Sequence, residues 1–543
     1  MRSLVRGRAV RGWLVAFAAF FLMGGAWALA APYGGTPDEI EHVIRAAGVA
    51  AGEVFTPPVT GTGLHEGAYQ TVPLGLVPIR HLKPLYRLCY HGRPQLSAAC
   101  GPQPGRGGHT EGRFLTGAGR YNPLYYAAVG APLLRWPSWT GLLLARLISS
   151  ALCAAFLASA WLSCVQWRRS PLLTGGLLVA ATPLVFHLAG AVNPNSVEIA
   201  AGIALAAAAI PLLLDEDSPD VRGWLRRGSV AAIAIAQFRA LGPLFVIAWP
   251  ALLLAPPVRS RLRQLWRMTS ARLWSAGVAI SCVSGTAWTV IFKVGDGNYA
   301  TKHYTMTQAL GYELTAKLPW YLEQTVDGFG VSYPDTLPPA VILIAWAMAL
   351  GLLLIAALAW GNRMQRRRLA ALIAFTLSIP VVIDVTTVNT LHFPSQGRYI
   401  LPIAVGIPLL AAFTVGTTGV ISTPQQAALV RVMILMLLPF QLYSLGYVMD
   451  RWQSGLGPGL SADPLVGKWH PVTGSALPLL MMTVGLIALG LLAWRATRLP
   501  AQPGATQPGG GRRTAGAGQP QPANGLQDTP LEGERPGNSV RTA

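Results

Sequence analysis

Ten residues near the N-terminus, Thr36-Pro37-Asp38-Glu39-Ile40-Glu41-His42-Val43-Ile44-Arg45, bring three carboxylates, an imidazole and a guanidinium together in a 543-residue chain. Thr36 followed by Glu39 spells a capping box, and Pro37 stands at a first helical position, where a missing N–H costs nothing. A helix is therefore predicted over 37–50. At helical spacing Asp38, Glu41, His42 and Arg45 share one face, while Ile40, Val43, Ile44 and Ala47 share the opposite one. Such a helix would lie along a membrane surface with its polar face toward whatever sits above it. Acids in a first turn also complement the helix dipole, and that plain reading weighs as much as a functional one.

Further polar residues recur at what the topology below makes the same depth. They are His187, the turn Asn193-Pro194-Asn195-Ser196-Val197-Glu198, Asp384 inside an apolar run, and Asn389, His392 and Gln396-Gly397-Arg398-Tyr399 after it. Arg146 follows the aromatic segment Tyr121-Asn122-Pro123-Leu124-Tyr125-Tyr126. Ionisable groups within membrane spans normally face a cavity or one another. For Arg146 alone, a staple to an acid on another helix is the preferred reading. Six clusters at one depth point instead to a polar cavity opening outward. Acids with arginines at a membrane boundary suit group transfer from a phosphate-bearing lipid. A carboxylate takes the proton of an incoming hydroxyl, an arginine fork holds the phosphate, and an apolar flank holds the chain.

The elements that must position these residues follow from composition. The chain is 52% hydrophobic and 12% charged, against roughly 25% charged in soluble proteins. Its apolar runs approach the ~20 residues a helix needs to cross a bilayer. Spans are predicted at 12–31, 142–164, 171–190, 196–214, 273–292, 338–360, 369–388, 399–420, 430–449 and 474–494. The first is read as a span and not as a cleaved leader, because Ala28-Leu29-Ala30 matches a cleavage site weakly. The stretch 228–255 is interrupted by Arg239, Gly242 and Pro243 and has basic flanks on both sides, so it crosses an even number of times, as two short helices or a re-entrant hairpin. The fold expected is an all-α polytopic transmembrane bundle of about 12 spans with extracytoplasmic loop helices.

Arginines set its orientation. Arg2, Arg6, Arg8 and Arg11 hold the N-terminus in the cytoplasm, and Arg168-Arg169, Arg363, Arg366-Arg367-Arg368, Arg431, Arg495 and Arg498 mark the later internal loops. The organisation is thus 1–31 N-terminus and first span, 32–139 first external loop, 140–292 bundle, 293–337 second external loop, 338–494 bundle and 495–543 a disordered Pro/Gly/Gln-rich cytoplasmic tail. The net charge of +20 is accounted for by these topology signals, and no nucleic-acid motif accompanies it. Cys153, Cys164 and Cys282 fall in spans as packing residues. Cys89 and Cys100 share the first external loop, where an oxidising compartment favours a disulfide over two free thiols.

Pro37-Asp38-Glu39 with His42, the Asn193-Pro194-Asn195 turn, and Gln396-Gly397-Arg398-Tyr399-Ile400-Leu401-Pro402 resemble a bacterial family of uncharacterised multi-spanning membrane proteins. That family is similar in turn to the C-type (GT-C) glycosyltransferases, which use polyprenyl-phosphate sugars and carry an acidic pair just after the first span. The resemblance runs in order from the first span to about residue 420. It implies transfer of a sugar from a polyprenyl-phosphate-linked donor to a glycan, lipid or protein acceptor outside the cytoplasm, in the plasma membrane of a bacterium and among its membrane lipids. By carry-over Asp38 is the base and Glu39 the second acid, Arg398 holds the donor phosphate, and Arg45, Tyr399, Asn193, Glu198 and Asp384 complete the substrate site. His42 orients the acceptor or helps to hold a divalent cation. Metal dependence is the weaker expectation, because Asp, Glu and His at these spacings make no closed ligand set. The family more often carries an acid at the position of Asn195, so no base is placed in that turn. The rival classes are a transporter or flippase of a lipid-linked glycan, favoured by the broken stretch 228–255 but lacking an inverted repeat, and a non-catalytic membrane scaffold.

Overall fold

The computed structural model describes residues 2–57, 59, 67–77, 88–101, 103–216, 220–254, 258–297, 300, 302–329, 339–456 and 463–498. The tail expected to be disordered lies almost wholly outside them, as do parts of the two later external loops. Among the described residues nine helices are long and apolar enough to cross a membrane, or ten if one bent pair counts as a single span. All ten predicted spans have a counterpart.

The chain opens with α1 (Arg2–Ala30), a first span, and then α2 (Glu39–Ala50). A cap over one end of the bundle follows, made by β1 (Ala68–Pro73), β2 (Glu111–Thr116) and α3 (Pro123–Arg135). β1 and β2 pair antiparallel with Ala68 opposite Thr116 and Pro73 opposite Glu111. This small sheet is not foreseen in an all-α reading. Within the cap Cys89 and Cys100 are joined as a disulfide, with their Cα atoms 6.2 Å apart.

α4 (Trp139–Gln166) returns through the bundle, and the next span is broken into α5 (Leu172–Ala180) and α6 (Pro183–Ala189), bent by 59°. Pro183 forces the break, since it lacks an N–H and disfavours helical geometry in the residue before it. Freed carbonyls inside a membrane need partners. Gln441 Nε2 donates to that of Ala181 at 2.8 Å, and Trp346 Nε1 to that of Val179 at 3.2 Å. α7 (Pro194–Leu214) is buried along almost its whole length. Its run of alanines and one glycine lets other helices approach closely, the usual means of packing helices in lipid.

The stretch 228–255 becomes α8 (Val221–Phe238) and α9 (Gly242–Leu253), separated at Arg239. At ~1.5 Å per residue the 12-residue α9 is too short to cross alone, and the break between the two helices at Arg239, Ala240 and Leu241 borders an open cavity. α10 (Arg259–Trp266) is a basic surface helix, and α11 (Thr269–Ile291) is a span exposed along most of its length. The next connection between spans holds α12 (Met306–Tyr312) and α13 (Leu318–Asp327), joined by a π-helical turn over Glu313–Lys317. The remaining spans are α14 (Ala340–Trp360), α15 (Arg363–Leu391), α16 (Gly397–Ala404) continuing into α17 (Gly406–Thr418), α18 (Thr423–Gln453) and α19 (Ala476–Ala496).

Two glycines record how tightly the site elements are pressed together. A side-chain carbon on Gly202 of α7 would stand 2.3 Å from the Pro402 carbonyl of α16. One on Gly130 of α3 would stand 2.3 Å from the Ala46 carbonyl of α2. Both distances lie inside van der Waals contact, so only glycine allows α7 to hold α16 and α3 to hold α2.

Two expectations for 37–50 need correction. The capping box does not form: the Thr36 hydroxyl has no partner, and the helix starts at Glu39 with Asp38 as its N-cap residue, at φ 59° in the left-handed region. Glu39 is instead drawn to a guanidinium, which offers it far more than one backbone N–H. Nor does α2 lie on a surface. Ten of its residues, His42 and Arg45 among them, are buried beneath the cap.

Candidate active site

Asp38 and Glu39 are neighbours that point to different arginines. Glu39 is enclosed. Arg146 donates Nε to its Oε1 at 2.7 Å and Nη2 to its Oε2 at 2.6 Å, and Gly34 N–H donates to Oε2 at 3.1 Å. The rest of the Arg146 fork goes to the carbonyls of Ala28, Ala31 and Pro32. Both side chains have no accessible surface. This is the staple expected of Arg146, and it ties α4 to the end of α1 and to α2. Glu39, placed by resemblance as the second acid, faces away from the cavity.

Asp38 pairs with Arg398 of α16: Nη2 donates to Oδ2 at 2.5 Å. Here 43% of the aspartate side chain stays accessible while the arginine is 4% exposed, because Asp38 lines a cavity of about 1210 Å³. That is larger than the ~300–1,000 Å³ of a common small-molecule pocket. The Nε and Nη1 groups of Arg398 are buried without hydrogen-bond partners among the described residues. The left-handed backbone of Asp38, tolerated by aspartate more than by most residues, turns its carboxylate toward Arg398 instead of along the helix.

The Asn193-Pro194-Asn195 turn is the fastener. Asn193 accepts the Asn195 N–H at 3.0 Å as the cap of α7 and donates Nδ2 to the Pro37 carbonyl at 3.0 Å. Asn195 Nδ2 donates to Glu198 Oε2 at 3.1 Å and to the Arg398 carbonyl at 3.3 Å. One turn thus grips both the segment carrying Asp38 and the segment carrying Arg398. Glu198 lines the cavity and keeps a buried Oε1 without a partner. Asp384 lies behind the site. It accepts from Tyr321 Oη at 2.8 Å and from the Ser395 N–H at 2.9 Å, and Lys317 Nζ reaches it at 4.0 Å. It therefore holds the turn that leads into Arg398 and Tyr399.

Other site residues separate likewise. Tyr399 and His42 line the cavity. His42 Nδ1 pairs with Tyr126 Oη at 2.9 Å, its Nε2 has no partner, and burial pushes the ring down to about 3, against the pull of Asp38 and with the help of Arg239 and Arg398. The imidazole is neutral at physiological pH. Arg45 is not at the cavity. Its fork holds the carbonyls of Glu53, Val54 and Tyr121 at 2.9–3.0 Å, closing the C-terminal end of α2. Among the described residues no group of three or more His, Cys, Asp or Glu side chains could hold a metal ion.

The cavity also contains two residues that the sequence reading noted without assigning them to the site. Arg239, at the break between α8 and α9, stands over the rings of Tyr121 and Tyr399 at 5.3 and 4.8 Å, and among the described residues no carboxylate lies within ion-pair distance of it. Arg398 stands over the same Tyr399 ring at 5.2 Å. Glu41, one turn beyond Asp38, lines the cavity and accepts the Gly117 N–H at 2.7 Å. The walls include Phe238, Phe245, Trp288, Ile379, Ile383 and Ile400 from the membrane helices. A lone charge in the apolar stretch 228–255 was the available signal for Arg239, and a shared helical face was the signal for Glu41.

A family model described as "Predicted membrane protein (DUF2142)" matches residues 21–407. The chain belongs to this family. No curated protein matches it. Among solved structures, this DUF2142 protein is similar to ArnT from Cupriavidus metallidurans bound to undecaprenyl phosphate, at 14% identity and a TM-score of 0.41, covering 90% of this chain and 78% of that one. Apo ArnT from the same organism gives 16% identity and a TM-score of 0.39 over the same shares.

Proposed function

We propose that this protein transfers a sugar from a polyprenyl-phosphate donor to an acceptor on the outer side of the membrane. The supporting observation is the convergence of two guanidiniums on the Tyr399 ring beside the α2 carboxylates, Arg239 from the wall of a cavity lined by apolar membrane helices and Arg398 buried behind that wall with Asp38. Arg398 keeps N–H groups without hydrogen-bond partners beside its ion pair with Asp38, and among the described residues no carboxylate stands within ion-pair distance of the half-buried Arg239. A cation held away from water without a close counterion favours an anion, and a phosphate supplies that charge with matching geometry. The lipid chain lies along the apolar wall. The donor sugar sits where Asp38 and Glu41 can reach the acceptor hydroxyl. Neutral His42 orients that hydroxyl by hydrogen bonding, and Glu198 Oε1 accepts from a sugar hydroxyl.

The reaction needs no further group. The acceptor oxygen attacks the anomeric carbon, its proton passes to a carboxylate, and the C–O bond to the phosphate breaks with its electron pair going to the phosphate. The arginines stabilise the charge that builds there. A flippase of lipid-linked glycan is the second reading, and the broken pairs α5–α6 and α8–α9 favour it, since transporters place such breaks around their sites.

Proteoliposomes with a panel of polyprenyl-phosphate-linked sugars separate the two. Transfer or hydrolysis of the sugar, lost in Arg239→Leu together with polyprenyl phosphate binding, supports the enzyme. Movement of intact donor between leaflets without cleavage would replace it with the flippase.

A further inference from the structure

We infer that Glu41, and not Asp38, takes the proton from the acceptor, while Asp38 positions Arg398. The inference rests on the glycosyl-transfer reading above and reassigns within it the role that the family resemblance gives to Asp38.

α2 opens with three acids whose surroundings differ. Glu39 is enclosed with Arg146, away from the cavity. Asp38 is committed to Arg398, and a carboxylate sharing its charge with a guanidinium is a poor proton acceptor. Glu41 faces the same cavity, and among the described residues no cation stands within ion-pair distance of it. Its place is fixed from both ends by the exit of the β-hairpin. The Gly117 N–H donates to Oε2 at 2.7 Å, and the Thr116 hydroxyl donates to the Glu41 carbonyl at 2.9 Å. One carboxylate oxygen is thus pinned while the residue borders the open volume. The charged and titratable groups around that volume are Asp38 and His42 beside it, Tyr69, Arg113, Arg120 and Tyr121 at the hairpin and its exit, and Glu198, Arg239, Asp296 and Tyr399 on the remaining walls.

Proton affinities agree with this division. Burial pushes the Glu41 carboxyl up to about 7 despite its contacts with Thr116 and Gly117, and the neighbouring Asp38 charge adds to the rise. Burial also works to raise Asp38, but Arg398, with His42 and Arg239, outweighs it and holds that carboxyl below its ordinary range. A base is most effective when its affinity matches the working pH. In the step proposed, the acceptor O–H proton moves to Glu41, the acceptor oxygen bonds to the anomeric carbon, and the bond from that carbon to the phosphate oxygen breaks. Polyprenyl phosphate leaves with the electron pair.

The test uses the full chain in nanodiscs, with two readouts. One is the pH dependence of sugar release or transfer from a radiolabelled polyprenyl-phosphate hexose, and the other is binding of unglycosylated polyprenyl phosphate. Glu41→Gln keeps an oxygen for Gly117, so it folds. It is expected to lower the rate by roughly 10²–10⁴, to abolish the rate limb near pH 7 and to leave polyprenyl phosphate binding unchanged. Asp38→Asn is expected to change binding and turnover while keeping that limb. Wild-type rate and limb in Glu41→Gln, or a limb that vanishes with Asp38→Asn instead, would overturn the inference and leave the reading of the site standing. A wild-type protein that neither binds polyprenyl phosphate nor cleaves the donor would overturn the reading itself.

Discussion

Two adjacent acids, Asp38 and Glu39, each meet an arginine from a membrane helix, and the two pairs serve different ends. The Glu39–Arg146 pair is shut away from solvent, and every N–H of its guanidinium is taken. In the Asp38–Arg398 pair the carboxylate lines a cavity and is partly open, while the arginine is buried behind it with two guanidinium nitrogens that have no hydrogen-bond partner among the described residues. The chemistry of the pairs is the same, so the difference lies in what surrounds them. A saturated pair is a joint. An unsaturated pair beside a cavity has hydrogen-bonding capacity left for a ligand.

Breaking the closed pair should have the largest effect. Arg146→Met leaves the Glu39 charge buried and alone, a loss of about 3–5 kcal/mol, and should abolish accumulation of folded protein as read by size-exclusion chromatography of detergent extracts. Normal yield and melting temperature in that variant would erase the distinction between the pairs. At the open pair, Arg398→Lys keeps the charge and loses the fork. It should fold, while donor turnover falls by roughly 10² and polyprenyl phosphate binding weakens; a variant that fails to fold would make this pair a second joint.

The smallest effects are in the dependence of stability on pH. His42 binds its proton in the fold less readily than its ordinary value of 6.5 allows, so the stability it contributes is complete above that value and is lost as pH falls toward 3. Glu41 is the opposite case. Its affinity is raised from 4.5 to about 7, so its contribution is complete below 4.5 and is lost as pH rises to 7. Melting curves in detergent should therefore show Glu41→Gln flattening the decline between pH 4.5 and 7, and His42→Gln flattening the decline below 6.5. Coincident profiles for wild type and both variants would contradict the burial assigned to these groups.

The spans were legible because crossing a bilayer demands a long apolar run, and every one of the ten appears where composition put it. The gathering of residues 36–42, 193–198 and 396–399 was legible too, since topology placed all three at one depth. What sequence could not supply was the partner of each acid. Spacing puts Asp38 and Glu41 on one face, but only the fold shows that Arg146, 107 positions beyond Glu39, takes that carboxylate out of the cavity and overrides the capping box. Arg45 sits on the predicted polar face and spends its donors on backbone carbonyls, which no helical wheel records. Arg239 lay inside a stretch whose apolar character drew attention to crossing number, although its charge was the reason that stretch mattered. The β-hairpin escaped because six-residue strands separated by a long connection leave little periodicity to read.

The central claim is that the cavity between α2, Arg239 and Arg398 receives the phosphate of a polyprenyl lipid. A cryo-electron microscopy structure of the full chain in nanodiscs, saturated with polyprenyl phosphate, tests it most directly. The account predicts phosphate density within hydrogen-bonding distance of both Arg239 and Arg398, beside Tyr399, with the isoprenoid chain along Phe245 and Ile383. Density at another site, or a cavity left without phosphate at saturation, would contradict it.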